Sequence, residues 1–159
     1  MPFSADHIAA LVERHAVPLQ LWVGRNGVTA EDVVQEAFCR LAVLDPPPDQ
    51  PVAWLYRVVR NLAITQRLSR KRRRSREKQV AAAESVNADP SERLQVDEAV
   101  NAVMQLDDPL REVLTARIWG QLTFDEIGVL CKISTATASR RYRNALEKLR
   151  KLLSVSCPT

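Results

Sequence analysis

Apolar residues recur every three or four positions in almost every segment between prolines, and nowhere does a strict apolar-polar alternation persist. The pattern predicts helices and no strands. Ser4 is placed to cap a first helix whose Ile8, Leu11, Val12, His15, Leu19 and Trp22 share one stripe, with Pro18 expected to bend it. Asn26-Gly27 supplies a turn. Thr29-Ala-Glu-Asp32 then reads as a capping-box-like start for a second helix with Val33, Val34, Ala37, Phe38, Leu41 and Leu44 on one face. Asp45-Pro46-Pro47-Pro48 must stop it. Pro51 suits the first position of a third helix that turns Leu55, Val58, Val59 and Leu62 inward.

Residues 79–89, QVAAAESVNAD, are small and polar and read as a linker. Beyond it, Asp89-Pro90 is expected to start a fourth helix through Leu94, Val100, Val103 and Met104, and Asp108-Pro109 a fifth through Leu110, Val113, Leu114 and Ile118. Gly120 ends that helix, and Thr123-Phe-Asp-Glu126 is a capping box for a short sixth with Phe124, Ile127 and Leu130 inward. Cys131-Lys132-Ile133 makes a turn, and Ser134 caps a long final helix. The expected architecture is all-α: two small helical domains, 1–78 and 90–153, joined by the polar linker and followed by a tail, 154–159.

Charge is unevenly distributed along this outline. Arg67, Arg70, Lys71, Arg72, Arg73, Arg74, Arg76 and Lys78 are opposed only by Glu77, and Lys132, Arg140, Arg141, Arg143, Lys148, Arg150 and Lys151 only by Glu147. Two basic surfaces with an acidic stretch between them suit a ligand that carries phosphates at two places. No apolar run approaches the roughly 20 residues of a membrane helix, and the N-terminus has no basic start, so a cytoplasmic protein with no membrane insertion is expected. Cys39, Cys131 and Cys157 lie far apart with only His7 and His15 to assist them, so neither a zinc cage nor any other cofactor site is expected.

A short helix, a tight turn and a longer basic helix form the helix-turn-helix pattern, whose second helix enters the major groove by its N-terminal turns. On that helix Ala138, Tyr142, Ala145, Leu146, Leu149 and Leu152 make one apolar stripe at 100° per residue, leaving Ala136, Ser139, Arg140, Arg143 and Glu147 outward. Arg140 and Arg143 are thereby placed to read bases, and small Thr135, Ala136 and Thr137 permit a close approach. Arg141, on the flank, suits a phosphate or a salt bridge. A basic amphipathic helix is also compatible with a merely solvated face. Lys132 occupies a turn position where glycine with positive φ is common, so a slightly remodelled turn is expected. On the third helix, Arg57 and Asn61 are expected outward with Trp54 beside them, and Tyr56, Arg60 and Arg67 on the opposite flank. Rings beside arginine and amide groups suit stacking on exposed bases; Trp54 and Tyr56 equally suit a core.

Ala30-Glu-Asp-Val-Val-Gln-Glu-Ala-Phe38, Ala53-Trp-Leu-Tyr-Arg-Val-Val-Arg-Asn-Leu62 and the arginines that follow resemble region 2 of the extracytoplasmic-function (ECF, group 4) sigma factors of the sigma-70 family. Leu110-Arg-Glu-Val-Leu114, Leu122-Thr-Phe-Asp-Glu-Ile127, Ile133-Ser134 and Arg141 resemble region 4 of the same family. The resemblance implies a sigma factor that binds core RNA polymerase and promoter DNA. Its implied assignments are Asp32, Gln35 and Glu36 on the polymerase clamp, and Trp54, Tyr56, Arg57, Arg60 and Asn61 on the opened minus-10 strand. Arg67, Arg70, Lys71, Arg72, Arg73 and Arg74 would hold phosphates, and the last helix would read the minus-35 element. Asp32 and Glu36 also suit the start of any helix through its dipole. The family commonly has a longer loop with an aromatic and glycine where this chain has Asp45-Pro46-Pro47-Pro48-Asp49-Gln50-Pro51, which implies altered or looser minus-10 reading. Small sigma factors usually have an anti-sigma partner, a possibility extended to this chain. The alternative is a regulator that binds duplex DNA alone. An enzyme is disfavoured, since the N-terminal half offers no strand-borne serine nucleophile, metal-ligand cluster or glycine-rich phosphate loop.

Overall fold

A computed structural model describes residues 1–24, 29–77 and 98–156 of the chain. Seven helices account for most of them: α1 (Ala5–Val23), α2 (Ala30–Val43), α3 (Pro51–Glu77), α4 (Glu98–Met104), α5 (Asp108–Ile118), α6 (Phe124–Cys131) and α7 (Thr135–Ser156). No strand occurs among the described residues. The Asn26-Gly27 turn, the linker 79–89 and the Asp89-Pro90 start lie outside the described residues, as does Cys157.

Local chemistry explains most of the boundaries. Ser4 caps α1 by accepting a bond from the amide of His7 at 3.2 Å. Pro18 sits buried inside α1, which continues through it to Val23. Thr29 occupies the N-cap of α2 with extended backbone, but its side chain makes no capping bond, so the expected capping box is absent there. At α6 the box is complete: Thr123 accepts from the Glu126 amide at 3.1 Å, and Glu126 accepts from the Thr123 amide at 2.7 Å. α5 begins at Asp108 with Pro109 in its first turn, and α7 runs through Ser156, so the expected tail starts as helix.

Helices α1, α2 and α3 pack around Leu19, Trp22, Val33, Ala37, Phe38, Leu41, Leu55 and Val59, while α4, α5 and α7 enclose Val103, Leu106, Leu110, Leu114 and Ala145. Val12 and Ile118, expected inward, are 38% and 42% exposed and lie at the edges of their stripes. The two halves are not separate. Val113 and Ala116 of α5 and Ile127 of α6 belong to the same buried cluster as Trp22 and Tyr56, so the core continues from one half into the other.

Candidate nucleic-acid interface

The α6-turn-α7 unit is built by a left-handed residue and a glycine. Lys132 ends α6 at φ 57° and ψ 46°, so the turn has the left-handed geometry usual for glycine rather than a remodelled one. The conformation costs a lysine about 1 to 2 kcal/mol. The amide of Ile133 returns to the Gly128 carbonyl at 2.9 Å, and a Cβ on Gly128 would lie 2.8 Å from the Ile133 carbonyl oxygen, which reserves that position for glycine. Ser134 caps α7 by accepting from the Thr137 amide at 3.1 Å while donating to the Thr137 hydroxyl at 2.8 Å. The Thr135 hydroxyl donates to Asp125 at 2.6 Å and pins the start of α7 to α6.

Burial separates the two faces of α7. Ala138 and Ala145 are fully buried, Tyr142, Leu146, Leu149 and Leu152 are packed beneath them, and Phe124 meets Tyr142 with ring centroids 5.6 Å apart. Thr135, Ala136, Arg140 and Arg143 are exposed, whereas Thr137, Ser139 and Arg141 are half-buried on the flanks. Arg117 lies over the Phe124 ring at 4.7 Å and donates to the Leu122 carbonyl at 2.9 Å, which braces α6 from behind. The result is a helix end with two arginines exposed on its outer surface.

On α3, Arg57 and Asn61 are exposed and Trp54 is half-buried against the core beside them. Arg70, Lys71, Arg72, Arg73 and Arg74 are all exposed on the last turns of this 27-residue helix. Tyr56 requires a correction. Expected on an open flank, it is 0% exposed; its hydroxyl donates to the Thr115 carbonyl at 3.4 Å and its ring meets Trp22 edge-on at 5.1 Å. The buried stripe of α3 is therefore Leu55, Tyr56, Val59 and Ala63, rotated from the Leu55, Val58, Val59, Leu62 stripe expected, because α5 covers this flank. Arg60 is drawn into the same seam, donating to Glu112 at 3.1 Å, and Arg67 donates to the Val23 carbonyl at 3.0 Å. Burial pushes the Tyr56 hydroxyl well above the usual tyrosine range.

On α2, Asp32, Gln35 and Glu36 are exposed, and Glu36 pairs with Arg40 at 2.7 Å. Gln35 lines a groove of about 390 Å³ between α1 and α2, floored by Ile8, Val12, Ala16 and Phe38. Arg111 is the residue that the sequence reading passed over. It is 3% exposed, and it donates to the Leu21 carbonyl at 2.9 Å, to the Leu106 carbonyl at 3.3 Å and to Asp108 at 2.6 Å. Cys131 is buried, and burial together with nearby Glu112 pushes its thiol up to about 11, which makes it a poor nucleophile. Among the described residues no helix is long and apolar enough to cross a membrane, and no group of side chains could hold a metal ion.

Two family models match this chain, Sigma-70 region 2 over residues 8–74 and Sigma-70, region 4 over residues 102–151. The fold is similar to that of the sigma factor RpoE, co-crystallised with the anti-sigma factor NepR from Bartonella quintana: 18% identity, 97% of this chain and 100% of that one, TM-score 0.64. It is also similar to CnrH in complex with the cytosolic domain of CnrY, at 22% identity over 97% of this chain and 92% of that one, TM-score 0.53. No significant match to a curated protein sequence was found. Regions 2 and 4, in that order and together spanning most of the residues, place the chain in the sigma-70 family: it is a sigma factor, directing transcription from promoter DNA.

Proposed function

We propose that this protein is an ECF-type, group 4 sigma factor in which residues 1–78 engage the polymerase clamp and the minus-10 element, and residues 90–153 the minus-35 element. The observation that carries this reading is the free outer face of α7, where Arg140 and Arg143 stand exposed beyond a capped, tightly turned helix end. Arginine there can donate two bonds to a guanine edge, while Thr135, Ala136, Thr137 and Ser139 are small enough to let the helix approach the groove. Arg141 is suited to a phosphate. On α3, Trp54, Arg57 and Asn61 are available to an opened strand, and Arg70, Lys71, Arg72, Arg73 and Arg74 form a phosphate-binding arm. Tyr56 and Arg60 join that surface only when α5 withdraws, and Arg67 only by leaving the Val23 carbonyl of α1. Asp32, Gln35 and Glu36 form the clamp-facing edge of α2.

The proline-stiffened stretch from Asp45 to Pro51 replaces a longer loop, so selectivity at the minus-10 element is expected to be loose. RpoE, one of the structural relatives, is held by the anti-sigma factor NepR, and an anti-sigma partner is proposed for this chain as well, together with a cytoplasmic location. The test is transcription in vitro by the purified chain and core polymerase across a genomic promoter library. Initiation at a defined subset of promoters is expected. Tight sequence-specific binding of duplex DNA by the chain alone, without affinity for core polymerase, would overturn the proposal in favour of a stand-alone regulator.

A further inference from the structure

The tip of α7 has its hydroxyl donors spent on its own neighbours. Thr135, the first residue of α7, is exposed, yet its hydroxyl gives its proton to the Asp125 carboxylate at 2.6 Å. A hydroxyl has one proton and two lone pairs, so the Thr135 oxygen is left able only to accept. The Asp125 side chain is exposed too, and an ionised carboxylate also only accepts. Ser134 spends its proton on the Thr137 hydroxyl at 2.8 Å, while Thr137, which keeps its own, is half-buried on the flank. Asp125 and Thr135 line one open depression with Val129 and Lys132, so the pair faces solvent as a unit drawn from two helices. Its bond is short and charge-assisted, the kind that holds a fixed geometry.

We infer that Asp125 and Thr135 act as an acceptor pair that selects a base carrying an exocyclic amino group, adenine or cytosine, at one position of the minus-35 element. This rests on reading α7 as the helix that enters the major groove. Adenine and cytosine each present an amino donor there, whereas guanine presents only acceptors and thymine an acceptor and a methyl group. Guanine opposite this pair leaves acceptors facing a carboxylate, with the desolvation of both uncompensated. Arg140, exposed five residues further on, has only donors and prefers guanine. Five residues of helix rise about 7.5 Å and one base step about 3.4 Å, so the two preferences fall about two base pairs apart. A carboxylate beside phosphates costs affinity, which the N-terminus of α6 and exposed Lys132 partly offset. Asp125 therefore contributes discrimination rather than binding strength.

The test is holoenzyme, the full chain with core polymerase, bound to a promoter library randomised through the minus-35 element. The natural chain should favour adenine or cytosine over guanine on the order of tenfold at one position, about two base pairs from the one that Arg140→Ala relaxes. Asp125→Asn keeps an oxygen for the Thr135 proton but adds an amide donor, so preference at that position should move to guanine or thymine. Affinity for unrelated duplex should rise with the lost negative charge. Thr135→Ser should keep the natural preference, and Thr135→Val should lose it. Guanine or thymine favoured there by the natural chain, or a loss in Asp125→Asn spread equally over every position, as a merely structural bond would give, overturns the acceptor pair. If Arg140→Ala relaxes one position while Asp125→Asn alters none, the pair falls and the reading of α7 stands; if neither alters any position, both fall.

Discussion

Exposed arginines do different work according to what surrounds them. Arg140 projects from the helix end that would enter a groove, so Arg140→Ala is expected to relax preference at one or two upstream base pairs at a cost of about 1 to 3 kcal/mol. Arg73 projects from the exposed basic end of α3, which has no feature that selects a base. Arg73→Ala should therefore weaken binding to all sequences alike and reduce the slope of affinity against salt by about one. Affinity measured for holoenzyme on a matched promoter set at several salt concentrations checks both; equal, sequence-independent losses would contradict the assignment of α7. His15 offers a separate test. Burial and Arg14 hold its pKa below the usual 6.5, so the unfolded chain takes up the proton first. Its contribution to stability is complete above pH 6.5 and declines as pH falls from there toward the lowered folded value. The midpoint of thermal unfolding should drop further for the natural chain than for His15→Leu between about pH 7 and about pH 5.5.

At the level of elements, caps and turns are where local chemistry can be tuned without touching the core. Lys132 sits in left-handed conformation at the α6 end, which costs a branchless non-glycine residue about 1 to 2 kcal/mol, while a glycine there loses about 0.4 to 1 kcal/mol through the freer unfolded chain. Lys132→Gly should thus stabilise by roughly 0.5 to 1 kcal/mol, read as a rise of a few degrees in unfolding midpoint. Thr123→Ala should cost about 1 kcal/mol by breaking the box that starts α6. Elements whose surroundings are sequence neighbours were legible before any coordinates: the stripe, cap and turn of α7 depend on α6 and on residues within a few turns. The face of α3 was not legible. Which of Tyr56 or Val58 turns inward depends on α5, and nothing near Tyr56 in the chain signals that Thr115 and Gly120 will lie over its ring. The same holds for Arg111, whose partner Leu21 is 90 positions away and offers only a backbone carbonyl.

Across the whole molecule, the shared core changes how the chain should unfold. Two tethered domains with separate cores melt independently, each at its own stability, whereas a cluster in which Val113, Ala116 and Ile127 are buried with Trp22, Tyr56 and Val59 couples them. Opening the seam exposes Tyr56, a ring worth several kcal/mol when removed from a core, and strips Arg111 of its carbonyl at Leu21. Losing either half therefore removes support from the other. Native-state hydrogen exchange of the free chain should give the core amides of α3 and α5 a common opening free energy that falls in parallel as denaturant is added. Tyr56→Phe, which deletes one long hydroxyl bond and keeps the ring, should lower both together by about 1 kcal/mol. Amides of α5 and α7 that exchange through a separate opening, insensitive to Tyr56→Phe, would mean that the halves fold as independent units and meet only in passing.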